Sequence, residues 1–179
     1  DGVRLSQDGQ TVVGIETVEV GYSISELISG GTVVRRLTLT HPTVVAARQP
    51  DGRWNLASLV RRNPDTPASK GPRRPLRIDR LQVVGGQVTL RDPITIGAAH
   101  IPSTYAGLDA DLALSLQPDG WTLDVARAAF VGTAPDLTVR SLAGAIGSDA
   151  AGWRFRDVRV ETPRSELTLN GHTDRRQTP

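Results

Sequence analysis

Three sets of side chains in this sequence have types that could do chemistry: the histidines, one close pair of aspartates and a run of cations. His41, His100 and His172 are all the histidines. None has a second histidine at the spacing a metal site would show, so they read as surface or turn residues, with His41 held in a turn before Pro42. Asp109 and Asp111 stand two apart in an alternating run and therefore share one face of a strand, as paired-carboxylate chemistry or a bound cation would need. A solvated strand face has the same pattern, and that is the reading adopted. There is no cysteine, which removes thiol nucleophiles, disulfides and Cys-based zinc sites together. No GxSxG, P-loop or GxGxxG occurs. The expectation is a protein without catalytic residues, metal or cofactor.

The cations are concentrated. Between Arg61 and Arg80, the residues Arg61, Arg62, Lys70, Arg73, Arg74, Arg77 and Arg80 face only Asp65 and Asp79, a net +5, while the other 14 cations and 17 carboxylates give −3. Pro64, Pro67, Pro72 and Pro75 fall in the same segment, which forbids a regular helix or a central strand there. Residues 61–77 are expected to form a basic, proline-rich linker between an N-terminal module, 1–60, and a β region, 78–179. A solvated loop is one reading of it. Contact with anionic lipid headgroups is another, each cation near such a surface contributing about 1 kcal/mol. Nucleic acid is not expected, because only seven aromatic residues exist and none interleaves with the basic run.

The elements that must position these groups are strands. Leu108, Ala110, Leu112, Leu114 and Leu116 alternate with Asp109, Asp111, Ala113 and Ser115, the pattern of a strand with one buried and one wet face. The rhythm recurs at Trp121, Leu123 and Val125, at Leu137 and Val139, at Trp153 and Phe155, at Val158 and Val160, and at Leu167 and Leu169. Turn signals separate them at Pro118-Asp119-Gly120, Thr133-Ala134-Pro135, Gly147 to Gly152 and Thr162-Pro163. Ten or eleven strands in an antiparallel meander are predicted. Helix signals are short: a capping box, Ser23 to Glu26, opens residues 23–29, and Asn55 could cap 55–60. The longest stretch without a charge, Pro93 to Leu108, is too short and too broken by proline and glycine to span a membrane as a helix. The N-terminus has no basic and apolar signal-peptide pattern.

An internal repeat is visible. Val34 to Ala46 aligns with Ile78 to Leu90 at an offset of 44, each copy reading as strand, two-residue break, strand, with a looser third copy from Val158 to Leu169. Gly14 to Val20, Leu27 to Gly31, Val33 to Leu39 with His41-Pro42, and Asp51-Gly52-Arg53-Trp54-Asn55-Leu56 follow one another in the order of the N-terminal module of the AsmA family, which this part of the chain resembles. Leu137 to Gly144, Arg156 to Pro163 and Leu167 to Gly171 are similar to repeats of that family and its TamB-like relatives. Family members usually begin with a membrane anchor, which these residues lack.

The resemblance implies a periplasmic, inner-membrane-anchored protein of Gram-negative type. Its repeated β-hairpin units would form a curled, open, taco-like sheet engaged in phospholipid movement and outer-membrane biogenesis. It carries over no catalytic residue. It implies phospholipid acyl chains as partners, a membrane reached through a segment outside this chain, and envelope proteins. A curled apolar face can hold acyl chains, each buried CH₂ contributing about 0.8 kcal/mol. The groove candidates are Leu37, Leu39, Leu81, Val83, Val88, Leu90, Leu112, Leu114, Leu116, Leu123 and Val125, and the headgroup candidates are the seven cations of 61–80. Alternation alone leaves open a closed sandwich with these residues as its core, and a structural or protein-interaction module that recruits partners at its sheet edges.

Overall fold

The computed structural model describes residues 2–7, 10–22, 32–49, 54–55, 75–92, 94–96 and 99–174. The expected helix at 23–29 falls outside these residues, as do all of the expected helix at 55–60 except Asn55, and Arg61, Arg62, Lys70, Arg73 and Arg74. Among the described residues there are thirteen strands: β1 (Val3–Gln7), β2 (Gln10–Ile15), β3 (Thr17–Tyr22), β4 (Thr32–Thr40), β5 (Thr43–Ala46), β6 (Leu76–Leu90), β7 (Thr95–Ile96), β8 (Ala99–His100), β9 (Thr104–Gln117), β10 (Gly120–Thr133), β11 (Leu137–Asp149), β12 (Gly152–Glu161) and β13 (Glu166–Asp174). Eleven of them form one open sheet, and β7 and β8 form a separate two-stranded ladder that contains His100.

The described residues are almost all strand because period-two alternation, rich in Val, Leu and Thr, fits a pleated surface with one apolar face. From β9 to β13 the sheet is the expected antiparallel meander, its long strands joined by short turns. The N-terminal part is built differently. β4 and β5 both run parallel to β6, paired with its first and second halves. A parallel pair needs a long crossover, and residues 47–75 provide it. β2 and β3 run along β5 and β4 in the same collinear way, separated only by Glu16.

The repeat is thus not a pair of hairpins. In β6 the break at Gly85-Gly86 is a bulge inside one 15-residue strand, and in the first copy His41-Pro42 is a kink between collinear strands. The His41 amide donates to Val84 O at 2.8 Å, and the Gln87 amide to Pro42 O at 2.8 Å, so the ladder is carried across the break rather than folded back. The two copies lie side by side at the offset of 44 that separates them in sequence, from Thr32 opposite Leu76 to Ala46 opposite Leu90.

No second sheet faces the first among the described residues, so the sandwich alternative does not apply. The core is accordingly thin: Val83, Ala110, Val125 and Ala128 are buried, and Leu108, Leu112, Leu123 and Leu142 pack against them. No large described side chain is completely buried.

Candidate functional site

Residues paired directly across neighbouring strands share a face. Leu37 stands opposite Val20 and Leu81, Leu81 opposite Leu112, and Leu112 opposite Val125. Leu39 joins Val83, Leu114 joins Leu123, Leu116 joins Trp121, Val88 joins Val44 and Tyr105, and Leu90 joins Ala46. Bulges at Asp79-Arg80 and Val84-Gly85 keep Ile78, Leu81, Val83, Val88 and Leu90 on that side of β6. All eleven groove candidates therefore line one face. Val83 and Val125 are buried in its floor, eight are half-buried, and Leu116 is exposed.

The same register carries the apolar face beyond those residues. Ile146 follows Leu123, Phe155 follows Ile146, and Val160 leads to Leu167, which is 61% exposed in β13. At one rim Ser148 lies directly between Trp121 and Trp153, whose rings meet edge-on at 5.5 Å and 85°. Towards the other rim Tyr105 and Phe130 meet edge-on at 5.4 Å, and burial raises the Tyr105 phenol above its ordinary range. In the sequence Trp121 and Trp153 read only as apolar members of two alternating strands; their partnership needs the register of three strands.

A row of irregular residues crosses the sheet and bends it. It runs from Glu16 between β2 and β3 to His41 (φ 46°), Gly85 (φ 63°), Gly107 (φ 59°), Gly144 (φ 126°) and Asp157 (φ 50°), the last four at or beside a shift in register. Bulges add local twist and bend, and a row of them makes a crease. The buried floor residues lie along it. His41 is exposed at the bend before Pro42, as expected, and belongs to this crease: its Nδ1 is 2.6 Å from Glu16 Oε2, a partner 25 residues away that local spacing could not reveal. With both side chains largely exposed, the pair contributes no more than about 1 kcal/mol. Asp109 and Asp111 are likewise structural: Asp109 Oδ1 accepts the Gly85 amide at 2.8 Å, and Asp111 binds Arg80 at 3.2 Å and Arg127 at 3.5 Å.

The opposite face is polar, with an open depression of about 570 Å³ bordered by Asp79, Arg80, Asp111, Asp124 and Arg156. Arg77 and Arg80 stand here, on the face away from the groove candidates, and Arg77 lies within β6 rather than in the linker expected to end at it. Burial acts to raise the Asp79 carboxyl, but hydrogen bonds and charge from Arg77 and Arg35 outweigh it and hold the group below the usual aspartate range. The Ala151 amide lowers Asp149 most; burial opposes this, and the Arg154 charge adds to the lowering.

The Asp51 to Leu56 motif is described at Trp54 and Asn55. The Arg48 guanidinium lies 5.4 Å from the Trp54 ring centroid, a cation–π contact. Asn55 is buried; its Oδ1 accepts the Ala47 amide at 3.0 Å, and its Nδ2 donates to Val45 O at 2.8 Å. It clips the crossover to the chain around the end of β5, a role for this asparagine beyond the expected helix cap.

Among the described residues no three His, Cys, Asp or Glu side chains group to hold a metal, and no helix is long and apolar enough to cross a membrane. No family model matches the chain, and no curated protein or solved structure matches it. The fold and the trough are what define it: an open, creased β-sheet with one continuous apolar face.

Proposed function

We propose that this chain is an AsmA-like envelope module whose trough holds phospholipid acyl chains and passes them between membranes, by binding rather than by reaction. The observation that carries this reading is the continuous apolar face of an open sheet, running without a polar break from Leu37 in β4 to Leu167 in β13. Seven adjacent strands at about 4.8 Å make the trough about 29 Å long. One leaflet of a bilayer core is about 15 Å thick, so an extended acyl chain fits within it. The basic segment before β6 belongs to the same reading as a contact for anionic headgroups, as do an inner-membrane anchor outside this chain and a periplasmic location. Lipid extraction and native mass spectrometry of gently purified protein test the proposal. Co-purified phospholipid is expected, and a folded but lipid-free protein that takes up none from vesicles overturns it.

The uncovered edge of β13 supports a second reading. Among the described residues this strand pairs only with β12, and its Leu167 and Leu169 are exposed. Such an edge can recruit a partner strand. Partner capture that is lost on placing proline in β13, and that is indifferent to lipid, would favour this reading.

A further inference from the structure

Ser148 is the one described side chain of the trough face that is both polar and buried, at 6% exposure. Its register places it opposite Trp121 on one side and Trp153 on the other, so all three point to the apolar face at the same rim. Its hydroxyl makes no hydrogen bond to any described residue. A buried hydroxyl without a partner costs stability, and alanine would fill the position without that cost. The flanking tryptophans are amphipathic, apolar in the ring and polar at the N–H, and suit the boundary between acyl chain and headgroup. Trp153, 43% exposed, leaves that boundary open to an incoming molecule.

Resting on the reading of the trough as a lipid site, we infer that Ser148, Trp121 and Trp153 form a subsite for the ester group of an acyl lipid, the Ser148 hydroxyl donating to the ester carbonyl. The cargo class is then ester-linked glycerolipid rather than hydrocarbon in general. The acyl chains leave this point along the floor at Leu123 and Val125, and the headgroup stays at the rim.

The test uses short-chain diacyl phosphatidylcholine and its dialkyl ether analogue, both below their micelle concentrations, titrated by tryptophan fluorescence. Wild type is expected to prefer the ester by about fivefold, the discrimination one neutral hydrogen bond gives. Ser148→Ala is expected to bind both equally, with the ether affinity unchanged, and to melt about 2–4 °C higher. Equal binding of ester and ether by wild type overturns the subsite and leaves the trough standing. A lower melting temperature for Ser148→Ala also overturns it, since the hydroxyl would then have a structural partner. Binding of neither lipid overturns the trough and the subsite together.

Discussion

Arg35 Nη1 donates to Asp79 Oδ2 at 2.9 Å, and the two residues are 44 apart, the same offset that pairs β4 and β5 with β6 along their length. The Arg48 amide and Asp92 Oδ2, also 44 apart, meet at 2.5 Å beyond the strand ends. The two copies of the repeat therefore touch their own equivalents, or residues beside them, from one end to the other. Stacking similar units in register lets an apolar face continue from one copy to the next without a new packing solution at each step, which is how repeat proteins extend.

The Asp79 carboxyl, where burial opposes and Arg77 and Arg35 prevail, gives a pH prediction. Its folded value lies below its unfolded one. The stabilisation is therefore present above the unfolded value and is lost as pH falls through and below about 4. Asp149 contributes in the same direction. Melting temperature is expected to fall between about pH 5 and pH 3, and Asp79→Asn should flatten that part of the curve while leaving the shape above pH 6 unchanged.

Asn55 gives a prediction about the crossover. It satisfies the Ala47 amide and the Val45 carbonyl from a buried position. Asn55→Ala removes both bonds and leaves two backbone groups short of partners, at a cost of about 2–3 kcal/mol. Urea unfolding monitored by far-UV circular dichroism should show the midpoint moving down at constant slope. Asn55→Asp keeps an acceptor for Ala47 but offers no donor to Val45, and should fall between the two.

The strands were legible because alternation of apolar residues needs only neighbours two apart, and the offset of 44 was legible because the copies still share Leu and Val positions. What the copies do to one another was not. Gly85-Gly86 and His41-Pro42 carry the same signals whether the chain turns back or merely kinks, and only pairing with a third strand decides it. Arg77 reads as the end of the linker because it continues a basic run, yet Leu76 and Ile78 beside it already belong to a strand. Alternation names the residues of a face and says nothing of its curvature. His41 and Glu16, or Trp121, Ser148 and Trp153, meet only after several strands have taken their register.

The two faces predict opposite responses to the same substitution. Leu114 and Ser115 are neighbours in β9 that point to opposite sides, Leu114 beside Leu123 in the trough and Ser115 beside Thr122 on the polar face. A carboxylate placed among acyl chains is left without partners and strongly disfavours their binding. Leu114→Glu, and Leu116→Glu at the exposed rim, should weaken lipid binding about tenfold or more. Ser115→Glu lies opposite Arg77 and should leave binding within about twofold of wild type. Equal losses in all three variants would mean that binding does not distinguish the faces.

The crease makes the sharpest stability prediction, because two of its glycines have unusual backbones for separable reasons. Gly107 has φ 59° with nothing within 4 Å of the position a Cβ would take, so Gly107→Ala suffers only the left-handed backbone, about 1 kcal/mol. Gly144 has φ 126°, and a Cβ there would lie 2.5 Å from Val158 Cα and 2.7 Å from Asp157 O, both main-chain atoms of β12. Those atoms belong to a neighbouring bulge and cannot move aside without breaking the pairing that places Val158 opposite Leu169. Gly144→Ala should therefore cost about 3 kcal/mol or more and loosen β12 and β13 together. Urea unfolding measures the first effect. Hydrogen exchange measures the second, with faster exchange expected in β12 and β13 and unchanged protection in β6 and β9. A Gly144→Ala cost no greater than that of Gly107→Ala would mean that the crease yields where the geometry requires it to be rigid.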